Sequence, residues 1–472
     1  MTYRTTVLLL TLLASCSASA KGSEGQQTAS PERPNIVVVY VDDWGWRDAA
    51  FQGSRFYETP RMDAFAKEGL VFSDAYAAAP NCAPSRASLM TGRYTPRHGI
   101  LTVNSSKRGK ARDRVLIPIE NRRVLEDEEL TVAELLRATG YRTAMMGKWH
   151  LGEDPRTQGF DVNIGGNQKG HPKSYFSPYG NPDLEDGPEP AGGPGHEYLT
   201  DRLTDEALTF IGDSSGQPFF LYLSHFAVHT PIQSREDDAA AFLAKPADGG
   251  QSNAKYAGMI AAVDRSLGRV LDRLDELGLR ENTLVILTSD NGGHGPVTSN
   301  APLRGAKGMI FEGGLRVPLV MRWPVRIAAG TESSIPVHAI DLLPTLADAA
   351  AIGVPMDIEI DGLSLGPIFD GEDFGRDTLY WHFPVYLEGD RTTGGAWRTS
   401  PAGALRSGRW KLIEWFETGQ LELFDLELDP GEENDLSAEK PELAKRLGLQ
   451  LESWRTSVGA RVPRELEPAY RK

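Results

Sequence analysis

The sequence predicts an α/β protein: a large, mostly parallel sheet sandwiched by helices, followed by a smaller antiparallel sheet and a helix. Three observations predict it. Apolar runs alternate with amphipathic stretches from Pro34 onward, the first of these runs is β-branched on both faces, and after about Arg376 the texture changes to short aromatic runs broken by Gly and Asp-Pro-Gly. The chain has 472 residues, and single hydrophobic cores stop growing near ~250–300 residues. Two lobes are therefore expected, 34–375 and 376–472.

In order along the chain, residues 1–16 read as an export signal. Tyr3-Arg4 supplies a short positive region and Val7 to Ala14 an apolar stretch too short to span a bilayer. Leu13-Ala14-Ser15-Cys16 resembles the bacterial lipoprotein processing site, at which the Cys is lipidated, so membrane anchoring through Cys16 is expected. A soluble form cut after Ala18 or Ala20 is the alternative. Residues 17–33, rich in Ser, Gly, Gln and Pro, suit a flexible tether.

Asn35 to Val41 reads as a buried central strand ending at Asp42-Asp43. Pro60 to Glu68 has helical spacing, Leu70 to Ser73 is a short strand, and Pro84 to Met90 opens another helix. Thr131 to Thr139 reads as a helix, Arg142 to Met146 as a strand, Tyr198 to Ile211 as a helix and Phe219 to Leu223 as a strand. Tyr256 to Leu277 is a long helix, and Thr283 to Ser289 a strand ending at Asp290-Asn291. In parallel sheets ligands lie beyond the carboxyl ends of the strands, where both acidic pairs fall. Gly165 to Gly195 is a long polar loop of the kind that borders a substrate pocket. Leu379 to Phe383, Trp410 to Phe416 and Leu421 to Leu426 read as the second sheet, and Pro441 to Trp454 as its helix.

The formal charge of −15 argues against a nucleic-acid partner, because binding a phosphate backbone needs a basic face and the Lys and Arg here are scattered. An anionic substrate would have to be drawn in by a local cluster of cations. Only Cys16 and Cys82 could form a disulfide, and none is possible once Cys16 is removed or lipidated. A lone retained thiol in an exported protein implies a chemical task.

Five sets of residues carry chemistry. Cys82-Ala83-Pro84-Ser85-Arg86 runs on to Thr91-Gly92-Arg93. Pro84 in the first helical turn puts Cys82 at the amino terminus, where free N–H groups favour negative charge, and Arg86 could hold the Cys82 side chain with its planar fork. Asp42, Asp43, Asp290 and Asn291 form a set of oxygen ligands at two strand ends, which favours a hard cation such as Ca2+ over Zn2+. Gly147-Lys148-Trp149-His150 places Lys148 and His150 on one side if the chain stays extended. His225-Phe226-Ala227-Val228-His229-Thr230-Pro231 follows a strand, and Leu303-Arg304-Gly305-Ala306-Lys307-Gly308 precedes Glu312-Gly313-Gly314-Leu315-Arg316-Val317-Pro318.

These strings, in this order, resemble the signatures of the type I, formylglycine-dependent sulfatases, in which the first reads C-x-P-S-R-x-x-x-x-T-G. The resemblance runs from about Pro34 to the Asp429-Pro430 stretch, and no fixed motif position is missing. It implies an alkaline-phosphatase-like fold and an exported bacterial carbohydrate or aryl sulfatase, in the periplasm or anchored to the outer membrane. It implies a formylglycine made from Cys82 by a formylglycine-generating enzyme, and one Ca2+ held by Asp42, Asp43, Asp290, Asn291 and the modified Cys82. Cys82 would supply the nucleophile, with Arg86 beside it and Asp290 or solvent taking its proton. Lys148, His229 and Lys307 would bind the sulfate, and His150 would expel it from a sulfated enzyme.

His225 reads as structural or as a support behind the residues that touch substrate. Glu312 and Arg316 either hold their loop or touch ligand. His171, Lys173 and Tyr175 in the polar loop, with Trp46 and His294 near the acidic pairs, are candidate sugar contacts. A sulfated carbohydrate is the expected substrate, with a 4-sulfated galactose or N-acetylgalactosamine as the first guess. The alternatives are a phosphate-ester or phosphonate hydrolase on the same fold, and a glycan-binding surface lipoprotein whose site is never matured.

Overall fold

The structure is a computed structural model that describes residues 33–184 and 197–471. The export signal, nearly all of the tether and the last part of the polar loop lie outside the described residues. An eight-stranded sheet forms the centre, in the order Val162–Ile164, Arg142–Gly147, Phe219–Ser224, Asn35–Val41, Thr283–Ser289, Leu319–Arg322, Leu70–Phe72 and Thr331–Ser333. Every pairing is parallel except the two made by Leu319–Arg322.

Asn35–Val41 is buried along its whole length because both of its faces are covered. Val37, Val39 and Val41 enter one core with residues of the helices Leu199–Ser214 and Ala254–Glu276. Ile36, Val38 and Tyr40 enter another with residues of Cys82–Thr91, Val132–Ala138 and Leu342–Ala349. Side chains alternate across a strand, so a run of β-branched residues buries both faces at once. The strands Asn35–Val41 and Thr283–Ser289 and the helix Pro60–Glu68 have the bounds expected from sequence, whereas the helix expected at Pro84 starts two residues earlier, at Cys82.

The second sheet is antiparallel and four-stranded, in the order Thr378–Phe383, Ala402–Ser407, Trp410–Trp415 and Gln420–Asp425. Leu405, Leu412 and Leu423 on it pack with Ala444, Leu447, Leu451 and Trp454 of the helix Pro441–Ser457. On its other side, Leu379, Trp381 and Phe383 pack with Tyr76, Ile310 and Leu315.

Candidate active site

Four adjacent strands of the central sheet end side by side and deliver most of the site. Val41 pairs with Ser289, so Asp42-Asp43 and Asp290-Asn291 emerge next to each other. Gly147 pairs with Ser224, so Lys148 and the segment leading to His229 emerge on the next pair. Gly147 is required there. It has φ 97, and a Cβ on it would lie 2.0 Å from the Ser224 carbonyl oxygen.

Beyond Gly147 the chain is not extended as the Lys148/His150 spacing supposed, because His150 sits at φ 64. The two side chains still reach the site, by a left-handed turn rather than by strand alternation. Asp43 also has φ 60. Both belong to residue types that tolerate this region better than most, and such conformations persist where surrounding contacts hold them.

Cys82 is the first residue of a helix in which all ten residues are buried, and Gly92 ends that helix in the left-handed region. One ligand atom each from Asp42, Cys82 and Asp290 lie within 4.8 Å of one another, and so do those of Asp43, Cys82 and His229. Burial pushes the Cys82 thiol up to about 11, against the pull of Lys148 and Lys307. An unmodified thiol there stays protonated at neutral pH and is a weak nucleophile.

Arg86 braces the framework around Cys82. Its Nε donates to Asp290 Oδ2 at 3.0 Å, and its second terminal nitrogen is 2.8 Å from the same oxygen. Its first terminal nitrogen donates to the Lys148 carbonyl at 2.8 Å and to Ser224 Oγ at 2.6 Å. The guanidinium also lies over the Tyr40 ring at 5.0 Å. Lys148 Nζ donates to Asp42 Oδ2 at 2.6 Å, and Lys307 Nζ lies 2.7 Å from Asp43.

Asp42, Asp43 and Asp290 thus each face a cation, Lys148, Lys307 and Arg86 respectively. Burial, with Asp290 adding to it, pushes Asp42 well above the usual carboxylate range. Burial opposes ionisation of Asp43 too, but Lys307 and His229 outweigh it and hold that carboxyl low.

The donor set fits a hard divalent cation. Asp42 Oδ1 and Asn291 Oδ1 are buried and have no hydrogen-bond partner. The Asn291 amide spends its Nδ2 on Asp43 Oδ1 and the Gly292 carbonyl, each at 2.9 Å, which leaves that oxygen over. Unpaired buried oxygens are costly, and all-oxygen sets suit Ca2+.

His229 donates from Nδ1 to the Thr230 carbonyl at 2.9 Å, and its Nε2 lies 3.6 Å from Asp43. Burial first, then Lys307, hold its pKa well below the usual histidine range. His150 is held low by burial together with Lys148 and Arg86, so it is a neutral imidazole able to accept a proton. Cys82, His150, His229 and Lys307 all line one cavity of about 730 Å3. A larger groove of about 1190 Å3 beside the helix Pro441–Ser457 holds none of them, so size does not choose the site.

Several sequence expectations resolve here. His225 is structural, buried with Nε2 at 2.9 Å from Ser266 Oγ. Tyr175 is not a sugar contact. It is buried, and its hydroxyl donates to the Phe226 and His229 carbonyls, bracing the segment that carries His229. Trp46 lies under the Arg316 guanidinium at 5.1 Å and, like the half-buried His294, is not part of the cavity wall. His171 and Lys173 are on that wall.

Glu312 and Arg316 hold their loop. Glu312 accepts from Tyr76 at 2.7 Å and pairs with Lys411 at 3.0 Å, and Arg316 pairs with Asp74. Sequence reading missed Ser224, Asp48, Asn167 and Arg398. Asp48 accepts from Thr298, Gln251, Tyr256 and the Gly45 amide, and Tyr256 also donates to the Asp43 carbonyl, so Asp48 braces the acidic turn. The Asp48 carboxylate five residues after Asp43 was the one available signal.

The chain matches two protein families. Residues 34–352 match the family described as Sulfatase, and residues 306–457 match N-sulphoglucosamine sulphohydrolase, C-terminal. It is 32% identical over 501 aligned positions to a sulfatase of Formosa agariphila, covering 90% of this chain and 89% of that one. It is 32% identical over 449 positions to the N-acetylgalactosamine-6-sulfatase of Canis lupus familiaris, covering 89% and 79%. Among solved structures it is similar to Ps i-CgsB in complex with k-i-k-neocarrahexaose, with a TM-score of 0.75 and 32% identity over 90% of this chain and 93% of that one.

Proposed function

The chain belongs to the sulfatase family, and from that premise we propose that it removes sulfate from a sulfated carbohydrate, using a formylglycine made from Cys82 and one Ca2+ ion. The observation that carries the reading is the surroundings of Cys82. Its thiol is pushed up to about 11, and three carboxylates, three fixed cations and two neutral imidazoles gather around it. That environment wastes a thiol and suits an oxygen nucleophile.

Residue 82, once matured, would supply an oxygen nucleophile for the sulfuryl group, and Asp42, Asp43, Asp290 and Asn291 would hold a Ca2+ that would supply positive charge beside it. Arg86 fixes Asp290 and the Lys148 carbonyl together, so acceptor and cation keep their spacing. Lys148 and Lys307 neutralise the sulfate oxygens. His229, oriented by its bond to the Thr230 carbonyl, presents Nε2 to the ester oxygen; that nitrogen takes up a proton when the anionic sulfate ester binds beside it and passes it to the departing alcohol. His150 takes the proton that lets sulfate leave. Of the two proposed lobes, 34–375 carries this chemistry, while 376–472 buttresses the loop of Lys307 and adds Leu387 and Arg398 to the cavity wall.

A carbohydrate substrate fits the polar loop wall of the cavity and the neocarrahexaose held by a structure with 32% identity. Export on the leader ending at Cys16 completes the proposal. Among the described residues no helix is long and apolar enough to cross a membrane.

The test measures sulfate released from sulfated oligosaccharides, with the phosphate and phosphonate esters of one phenol run beside its sulfate. The mass of the peptide containing residue 82 is read from the same preparation. Sulfate release with a formylglycine mass is expected. Faster phosphate turnover, or full activity with an unmodified thiol, overturns the proposal.

A further inference from the structure

The substrate cavity carries a bias that the chain as a whole does not. The protein has a formal charge of −15, yet the cavity wall presents Arg108, Lys169, Lys173, Lys307 and Arg398 against one acid, Glu153. Three of those cations are already engaged. Lys307 is on Asp43 at 2.7 Å, Arg108 on Glu388 at 2.8 Å, and Arg398 on Asp390 at 3.5 Å and on the Glu388 and Lys307 carbonyls.

Lys169 has only a long bond, 3.4 Å, to the Gly180 carbonyl. Among the described residues neither Lys169 nor Lys173 forms an ion pair. These two ammonium groups are left over on one wall.

That wall is built, although it has no helix or strand. The Asn167 carbonyl accepts the His150 amide at 2.9 Å, and the Asn167 side chain accepts the Lys169 amide at 2.8 Å and donates to Asn181 at 2.7 Å. The Lys173 amide donates to the Tyr179 carbonyl at 3.0 Å. Between the lysines, His171 stacks on His229 with ring centroids 5.9 Å apart and planes within 2°. Lys169 is thus tied through Asn167 to His150, and His171, between the two lysines, lies against His229. An anionic group on a part of the substrate lying along this wall would meet them.

Resting on the carbohydrate sulfatase reading, we infer that Lys169 and Lys173 form a second anion subsite, which holds a further sulfate or carboxylate on the same oligosaccharide. The preferred substrate is then polyanionic, and a singly sulfated sugar is a poor one. Exposed charge contacts are individually weak and salt-screened, so selectivity comes from the pair and is read in KM.

The experiment compares the wild type with K169A/K173A and K169R/K173R on four substrates: an aryl sulfate, a singly sulfated disaccharide, a disulfated disaccharide, and a singly sulfated disaccharide with a uronate. The wild type should favour the last two. The double alanine variant should lose roughly tenfold in kcat/KM on whichever of them the subsite reads, through KM. Its aryl sulfate turnover should be unchanged, and the arginine pair should restore the preference. Loss confined to the disulfated substrate identifies a sulfate-reading subsite, and loss confined to the uronate a carboxylate-reading one. Equal losses on all four substrates, or no preference in the wild type, overturn the subsite alone. A wild type that cleaves no sulfate ester overturns the catalytic reading beneath it.

Discussion

Replacing Lys411 by Met tests how the second sheet supports the site. Lys411 is fully buried, with its ammonium 3.0 Å from Glu312 and 2.8 Å from Glu432. Glu432 in turn accepts the Glu312 amide at 2.7 Å, and its carbonyl accepts from Arg304, which starts the segment bearing Lys307. Removing one partner of a buried ion pair costs about 3–5 kcal/mol, because the remaining charge is left uncompensated.

The folded unit spans Arg33–Lys472, about 440 residues. At roughly 2.1 cal/mol/K per residue its unfolding entropy is ~0.9 kcal/mol/K, so Tm should fall by about 3–5 °C. The sign with pH is fixed by Glu432, which burial, with Glu312 adding to it, raises to about 7. Lys411 holds that value down, so in the variant Glu432 keeps its proton to higher pH, while the wild type gains the Glu432–Lys411 pair as pH rises through 7. The loss of Tm should therefore be smaller at pH 6 than at pH 8. Scanning calorimetry at the two pH values, with kcat/KM on an aryl sulfate measured at 25 °C, checks both halves. A shift under 1 °C, or a larger shift at pH 6, refutes the reasoning. Lost stability with unchanged kcat/KM refutes the link to the Lys307 loop.

Chelation should lower activity reversibly, with Ca2+ restoring it better than Zn2+, and a requirement for two zinc ions would contradict the oxygen-ligand argument. The His150→Ala variant should give a burst of released alcohol followed by slow turnover, with sulfated protein visible by mass spectrometry. His229→Ala should instead slow the burst by roughly 10²–10⁴-fold on sugar sulfates and least on activated aryl sulfates. Equal losses on both substrate types would deny His229 its acid role. Gly170→Ala should displace His150, since the added Cβ would lie 2.4 Å from its ring, and kcat should fall about a hundredfold with Tm little changed. Burial raises Asp48 to about 6, so its contribution to stability is present below pH ~4 and is lost as pH rises through 6. The stability of Asp48→Asn relative to the wild type should therefore rise by roughly 3 kcal/mol across that window, and a flat difference in urea titrations would show that Asp48 does not titrate there.

The sequence by itself determined the parts of this protein that depend on neighbours along the chain. The run from Asn35 to Val41 could only be a strand buried on both faces, and Asp42-Asp43 had to fall at its end. Pro84 had to lie in the first turn of a helix with Cys82 at its amino end, and Lys148, His150, His229 and Lys307 stood in strings whose order pointed to one reaction. What the tertiary structure decided lies between residues far apart in the chain. Tyr175 looked like a sugar contact in a polar loop and became a buried brace for His229. Arg86, expected beside Cys82, also joins Asp290 to the Lys148 carbonyl across the sheet. Lys411, an ordinary strand lysine in sequence, closed a buried network with Glu312 and Glu432. Lys169, not singled out in sequence, came to share a wall with Lys173. Periodicity and capping are written in local spacing, but the partner that satisfies a buried charge, or leaves one free, is chosen by packing across the fold.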